Sequence, residues 1–141
     1  MARSGDTCYV IDVIRRQVEA AGFAKDLRAL RNRYKVAPFL AIIGGTEKGT
    51  VSLLNSSGLA IEGVPATADK FVRAQAVSAA WNSGKVLVPQ DAEWLHYFIS
   101  EVCGFTGVND YHDDMVDALV GSHLALTRPP PRRVLSNLAP G

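Results

Sequence analysis

The sequence predicts an α/β domain with a partly parallel sheet. Short apolar or β-branched runs at residues 7–14, 38–43, 58–63 and 85–88 alternate with longer segments whose apolar residues recur every three to four positions. Strands separated by helices are joined by crossovers, and crossovers generate parallel pairs. At 141 residues, with 48% hydrophobic and 21% charged residues, the chain suits one soluble domain with a real core.

Each element follows from its residues. Residues 1–6 are short, polar and glycine-containing, and read as a frayed end. The run Thr7-Cys8-Tyr9-Val10-Ile11-Asp12-Val13-Ile14 reads as a strand. Residues 24–34 place Leu27, Leu30 and Tyr34 on one helical face, with Arg28, Arg31, Arg33 and Lys35 making the outer face positive. Pro38-Phe39-Leu40-Ala41-Ile42-Ile43 is continuous and apolar, as in a strand buried on both faces. It runs into Gly44-Gly45-Thr46-Glu47-Lys48-Gly49, followed by a short helix over 50–55 and a strand over 58–63. Residues 68–83 form an amphipathic helix with Phe71, Ala74, Val77, Ala80 and Trp81 inward, ended by Asn82-Ser83-Gly84. A strand over 85–88 stops at Pro89. Asp91 is the expected N-cap of a helix over 91–103, with Trp94, Leu95, Phe98 and Val102 inward. Residues 104–111 read as a loop, and the last helix runs over 112–126. Residues 127–141, with four prolines and Arg128, Arg132 and Arg133, read as an extended basic tail.

Composition excludes several classes. The 15 basic and 14 acidic residues give a net charge of +1, so any nucleic-acid surface must be local. No run is long enough to span a membrane, no signal peptide is visible and no P-loop is present. Cys8 and Cys103 lie in apolar surroundings without metal-ligand spacing, so two buried free thiols in a reducing cytosol are expected.

The strongest chemical signal is Tyr111-His112-Asp113-Asp114-Met115-Val116-Asp117-Ala118-Leu119 at the head of the last helix. Asp113 and Asp117 are four apart and share a face, while Asp114 points about 100° away. The apolar stripe Val116, Leu119, Val120 and Leu124 faces a core. Carboxylates crowded beside a core call for a cation, and hard divalent ions prefer carboxylate oxygen. The plainer alternative is an acidic first turn that complements the helix macrodipole. Other candidates are weaker. Glu47 is the acid of the glycine loop at a strand's carboxyl end, or a solvated residue paired with Lys48. Lys70 and Arg73 share a helix face and suit a phosphate backbone, or form a solvated charged face. Asp12 lies within the first strand, where it is either buried and paired or exposed. His112 beside the acids suits proton shuttling or phosphate contact, whereas His96 and His123 read as structural.

These pieces in order resemble the C-terminal nuclease domain of the phage terminase large subunit. The matching stretches are Asp69-Lys70-Phe71-Val72-Arg73-Ala74, Gly84-Lys85-Val86-Leu87-Val88-Pro89, Trp94-Leu95, Phe105 and His112-Asp113-Asp114-Met115-Val116-Asp117-Ala118-Leu119, and the likeness covers residues 7–126. The resemblance implies an RNase H-like mixed sheet flanked by helices. It implies metal-dependent cleavage of double-stranded DNA with two Mg²⁺ or Mn²⁺ ions, in the cytoplasm of a bacterial host, alongside a portal and a small terminase subunit. Carried over by position, Asp113 and Asp114 are the acids of the last helix and Glu47 is the nearest acid to the family's second position. Asp117 would orient a ligand or a basic side chain. Lys70, Arg73, Lys48 and His112 would lie near DNA.

The chain also departs from the family. The opening strand that carries the first acid is expected to be absent, and Gly44-Gly45 stand where the second acid usually lies. Asp12 or Asp6 is the candidate substitute for the first acid. A sheet without its central strand keeps an open edge, which invites pairing between two chains. An alternative is a catalytically dead DNA-binding or assembly module of the same fold. A third reading is an unrelated interaction domain whose acids are helix caps.

Overall fold

The computed structural model describes residues 1–35, 38–43, 47–65 and 69–128. The first sheet has three strands. Strand β1 (Ala2–Ser4) pairs antiparallel with β2 (Thr7–Tyr9), with Arg3 opposite Cys8. Gly5 sits at φ 58°, the left-handed conformation a two-residue hairpin turn needs. The amino-terminal residues expected to fray are therefore the first arm of a hairpin. Strand β2 also pairs in parallel with a third strand, Val86–Leu87, with Cys8 opposite Val86. The strand expected to reach residue 14 stops at Tyr9. Cys8 N donates to Lys85 O and Val10 N donates to Leu87 O, and the partner then meets Pro89, which has no N–H to extend the ladder.

Helix α1 (Ala20–Tyr34) begins earlier than its apolar spacing suggests, because Ala20 and Ala21 favour helix. It ends on Lys35 at φ 55°. Strand β3 (Phe39–Ile43), helix α2 (Glu47–Ser56) and strand β4 (Ile61–Pro65) then form a parallel crossover unit, with Phe39 opposite Ile61 and Ile43 opposite Pro65. Arg28 and Arg31 of α1, read as part of a positive outer face, donate to Ser57 O and Gly58 O at the end of α2. Helix α3 (Lys70–Asn82) is capped by Asp69, whose carboxylate accepts from Phe71 N at 2.9 Å. The strand after it, Val86–Leu87, is β5.

Helix α4 (Leu95–Gly104) starts later than expected, with Trp94 rather than Asp91 at its N-cap. Residues 90–94 are held in turns, and Leu95 N donates to Ala92 O. Helix α5 (Asp114–Thr127) completes the described chain. Residues 129–141, most of the expected basic tail, lie outside the described residues, as do Gly44 and Gly45.

The main core joins the first sheet to the last two helices. Cys8, Val10 and Val86 meet Phe98 of α4 and Met115, Val116, Leu119 and Val120 of α5. Trp94 stands edge-on to Phe98, at 5.6 Å and 89°. A smaller cluster of Ala24, Leu27, Leu54 and Leu59 fastens α1 to α2. Helix α5 also lies close against β3. A Cβ at Gly121 would come within 2.9 Å of Ile42 Cδ1, so only glycine permits this approach without displacing Ile42.

Three side chains depart from the expected core. Leu124 is 40% exposed and His123 takes the inward position, because the buried arc of α5 is rotated toward Met115 and Val116. Phe71 is 47% exposed and packs beside Gly107 instead of entering the core. Cys103 is exposed on the last turn of α4 while Cys8 is buried, and both are free thiols. Among the described residues, β1 pairs only with β2 and β3 only with β4, so the strands form two sheets rather than one.

Candidate active site

The site is built where α3 crosses the head of α5. The apolar stripe of α5 faces the core, which turns Asp113 and Asp117, one helical turn apart, toward the first turn of α3. Lys70 stands there because Asp69 caps α3 one residue earlier. Its ammonium lies 2.5 Å from Asp113 Oδ2 and 2.8 Å from Asp117 Oδ2. Arg73, a turn further along α3, brings Nη2 to 3.6 Å from Asp117 Oδ1. The side chains of Lys70, Asp113 and Asp117 are 30%, 27% and 31% exposed, so the cluster is neither dry nor fully solvated. Asp117 Oδ1 is itself buried and accepts no hydrogen bond among the described residues.

Burial alone would push the Lys70 ammonium toward deprotonation. The hydrogen bonds that the ammonium donates to Asp113 and Asp117, and then their charges, outweigh it and hold its pKa above the usual 10.5. The Lys70 ammonium is therefore shared by Asp113 and Asp117, and Arg73 adds a second cation beside Asp117.

A loop closes one side. Asp110 accepts from Thr106 N at 3.0 Å, from Thr106 Oγ1 at 2.8 Å and from Gly107 N at 2.6 Å. The Thr106 N–H most of all, with smaller help from the Thr106 hydroxyl, Gly107 and Lys70, keeps the Asp110 carboxyl below its ordinary value against some desolvation. Gly107, at φ 82°, lies against Phe71, and a Cβ there would sit 2.7 Å from the Phe71 ring. The loop is thereby fixed beside Lys70.

Glu101 holds the other side. It is 4% exposed and is the acid that caps α5. Its Oε1 accepts from Met115 N at 2.6 Å and from Val116 N at 3.4 Å, while Arg15 Nη1 stands 3.9 Å from Oε2. Asp113 at the N-cap position makes no side-chain capping bond, which leaves its carboxylate available to Lys70. Asp114 and Asp117 in the first turn still complement the helix dipole, so the plain reading of the acidic turn also holds.

The expected residues are placed as follows. Asp113 comes together with Lys70 and, through Asp117, with Arg73. Asp114 is exposed and makes no ion pair among the described residues. Glu47 begins α2, beyond the carboxyl end of β3, and its side chain lies outside what the structure describes. Lys48 and His112 are exposed. Lys70 and Arg73 are turned toward α5 rather than outward. Asp12 accepts from Tyr34 Oη at 2.8 Å and lies 3.6 Å from Arg33, and Asp6 lies near Arg3 and Lys85, so each is engaged elsewhere. His96, expected to be structural, is on the surface, whereas His123 is buried as expected. Sequence reasoning missed Glu101, Asp110 and Arg15. Only Asp110 carries a local signal, the Gly107-Val108-Asn109-Asp110 turn composition.

A family model described as the terminase RNaseH-like domain matches residues 1–126. The chain belongs to this family. It follows that the terminase domain has an RNase H-like fold, here a mixed set of strands flanked by five helices among the described residues. No curated protein and no solved structure matches it. No helix among the described residues is long and apolar enough to cross a membrane.

Nucleases of RNase H-like fold use divalent metals, so the residues present must be tested against that requirement. Among the described residues no three His, Cys, Asp or Glu side chains come together as a metal group. Two carboxylates, Asp113 and Asp117, do converge on Lys70, and Arg73 stands 3.6 Å from Asp117 Oδ1. The carboxylate oxygens facing Lys70 are of the hard type that Mg²⁺ and Mn²⁺ take, and an ion bound there would have to displace the ammonium.

Proposed function

We propose that this terminase domain is a metal-dependent endonuclease for double-stranded viral DNA. Asp113, Asp114 and Glu47 would hold Mg²⁺ or Mn²⁺. The observation that carries the reading is the Asp113 carboxylate at the head of α5, which makes no capping bond and faces a cation. Two bound divalent ions would supply an activated water and stabilise the leaving oxygen of the cut strand.

The chain's own residues have distinct tasks in this reading. Asp113 and Asp114 present carboxylate oxygens at the start of α5, and Glu47, at the start of α2, is the proposed third acid. Asp117 is a positioning residue that holds Lys70 and Arg73 against the site. Glu101 fixes the first turn of α5 and so the direction of Asp113. The exposed Lys48 and His112 contact the DNA backbone. Lys70 and Arg73 reach a phosphate only by leaving Asp113 and Asp117.

In this reading the partners are double-stranded DNA, a portal and a small terminase subunit, in the cytoplasm of a bacterial host. Among the described residues β1 pairs only with β2 and β3 only with β4, and pairing of two chains along these edges is part of the same proposal. A second reading has one observation in its favour. Lys70 and Arg73 already neutralise Asp113 and Asp117, as in a DNA-binding or assembly module that does not cut.

Plasmid nicking and linearisation with Mn²⁺, Mg²⁺ or EDTA separates the two readings. Cutting that needs metal and is lost in Asp113→Ala/Asp114→Ala supports the endonuclease. Salt-sensitive DNA binding without cutting supports the module.

A further inference from the structure

A groove lies on the opposite side of Glu101 from the core, at the amino end of α5. It is lined by Arg15, His96, Tyr97, Glu101, Tyr111 and His112 among others. Two features of this groove are not needed for the metal site. The first is its aromatic content. Tyr97 is 66% exposed and Tyr111 is 93% exposed, the highest value among the large hydrophobic side chains. Both stand edge-to-face with a histidine, Tyr97 with His96 at 5.8 Å and Tyr111 with His112 at 4.9 Å. Edge-to-face pairs orient the rings without covering both faces, so aromatic surface stays open to solvent.

The second feature is how the acids of the groove are compensated. Glu101 faces Arg15 on one oxygen and the N–H groups of α5 on the other. Asp110 is held by Thr106 and Gly107 and lies in the field of Lys70. Glu101 Oε2 is buried and makes no hydrogen bond among the described residues, and Arg15 stands over it without closing one. The cation that lines the groove is the Arg15 guanidinium, 42% exposed, with the His96 and His112 rings beside it.

We propose that this groove binds unpaired DNA nucleotides, with Tyr97 and Tyr111 stacking on bases and Arg15 and His112 contacting the adjoining phosphate. The inference rests on the reading of the domain as a DNA nuclease. Every base offers a π-face, so open tyrosine rings bind bases with little regard to sequence, and a guanidinium beside them takes the backbone. Duplex DNA hides its base faces and cannot use the rings. The groove therefore selects strands that are separated or frayed next to the Asp113 site.

Fluorescence anisotropy in EDTA tests this, using a labelled oligothymidine and a labelled blunt duplex of equal length. Tyr97→Ala and Tyr111→Ala each weaken oligothymidine binding by about 5- to 150-fold, the range expected for one lost base stack. Duplex binding by the same variants changes less than about twofold, and Tyr97→Phe and Tyr111→Phe retain oligothymidine binding because the ring is kept. Both tyrosines are surface residues, and an unchanged melting temperature confirms that the variants fold. Equal losses for duplex and single strand, or no loss in the Ala variants, would overturn the inference while leaving the nuclease reading intact. Wild-type protein that binds neither DNA would count against both.

Discussion

Replacing Lys70 with methionine tests the electrostatic core of the site. The substitution keeps the length of the side chain and removes the charge that Asp113 and Asp117 share at 2.5 and 2.8 Å. An exposed ion pair contributes up to about 1 kcal/mol, and breaking a buried one costs about 3–5 kcal/mol. All three side chains are roughly one-third exposed, which places the loss at about 2 kcal/mol. For a chain of this size that corresponds to a fall in Tm of roughly 6–10 °C. The sign with pH is defined. The folded pKa of Lys70 lies above 10.5, so its stabilisation is complete at neutral pH and is lost only as pH rises through that folded value. Circular-dichroism melts at pH 7 in EDTA therefore read the full effect. Adding Asp113→Asn to Lys70→Met recovers at least half of the loss, because Asp113 in Lys70→Met faces no ammonium and repels Asp117, which keeps Arg73. Mn²⁺ also raises the Tm of Lys70→Met more than that of the wild type, since the vacated position suits a cation, and a ligand at 100 times its Kd contributes about 2.7 kcal/mol. A Lys70→Met protein that melts within about 1 °C of the wild type, or a double variant that recovers nothing, would refute the reasoning.

Further outcomes follow from the same contacts. Glu101→Ala leaves the Met115 and Val116 N–H groups without their acceptor and lowers the urea midpoint by the equivalent of about 2–3 kcal/mol at unchanged m, while Glu101→Gln costs less because its amide oxygen still accepts. Phe98→Ala removes the ring packed under Trp94 and Trp81 and costs about 3–5 kcal/mol in the same measurement. Burial first, and the Arg3 charge second, lower the pKa of His123 below 6.5, so its contribution is complete above 6.5 and is lost as pH falls through its folded value. Melts between pH 7.5 and 5 show that loss in the wild type and a flatter profile in His123→Gln.

Much of the architecture could be read from the residues because it depends on local pattern. The continuous apolar run at β3 specifies a strand, though not one buried on both faces, since Leu40 is 43% exposed, and the stripe through Val116, Leu119 and Val120 specifies α5 and its buried face. The four-residue spacing of Asp113 and Asp117 also announced their shared face. What could not be read depends on partners distant in sequence. The length of β2 was set by where β5 meets Pro89, and β1 exists because Ala2–Ser4 folds back on β2. Lys70 and Arg73 looked like free phosphate ligands, since nothing in their own helix shows that α5 lies opposite. Glu101 has no local signature at all, because its role is to cap a helix that begins 13 residues later.

Crystals grown with Mn²⁺ and examined by anomalous diffraction test the central claim most directly. An anomalous peak is expected about 2 Å from a carboxylate oxygen of Asp113, with the Lys70 ammonium displaced from between Asp113 and Asp117. Lys70 still seated between the two carboxylates, with no peak at the head of α5, would contradict it.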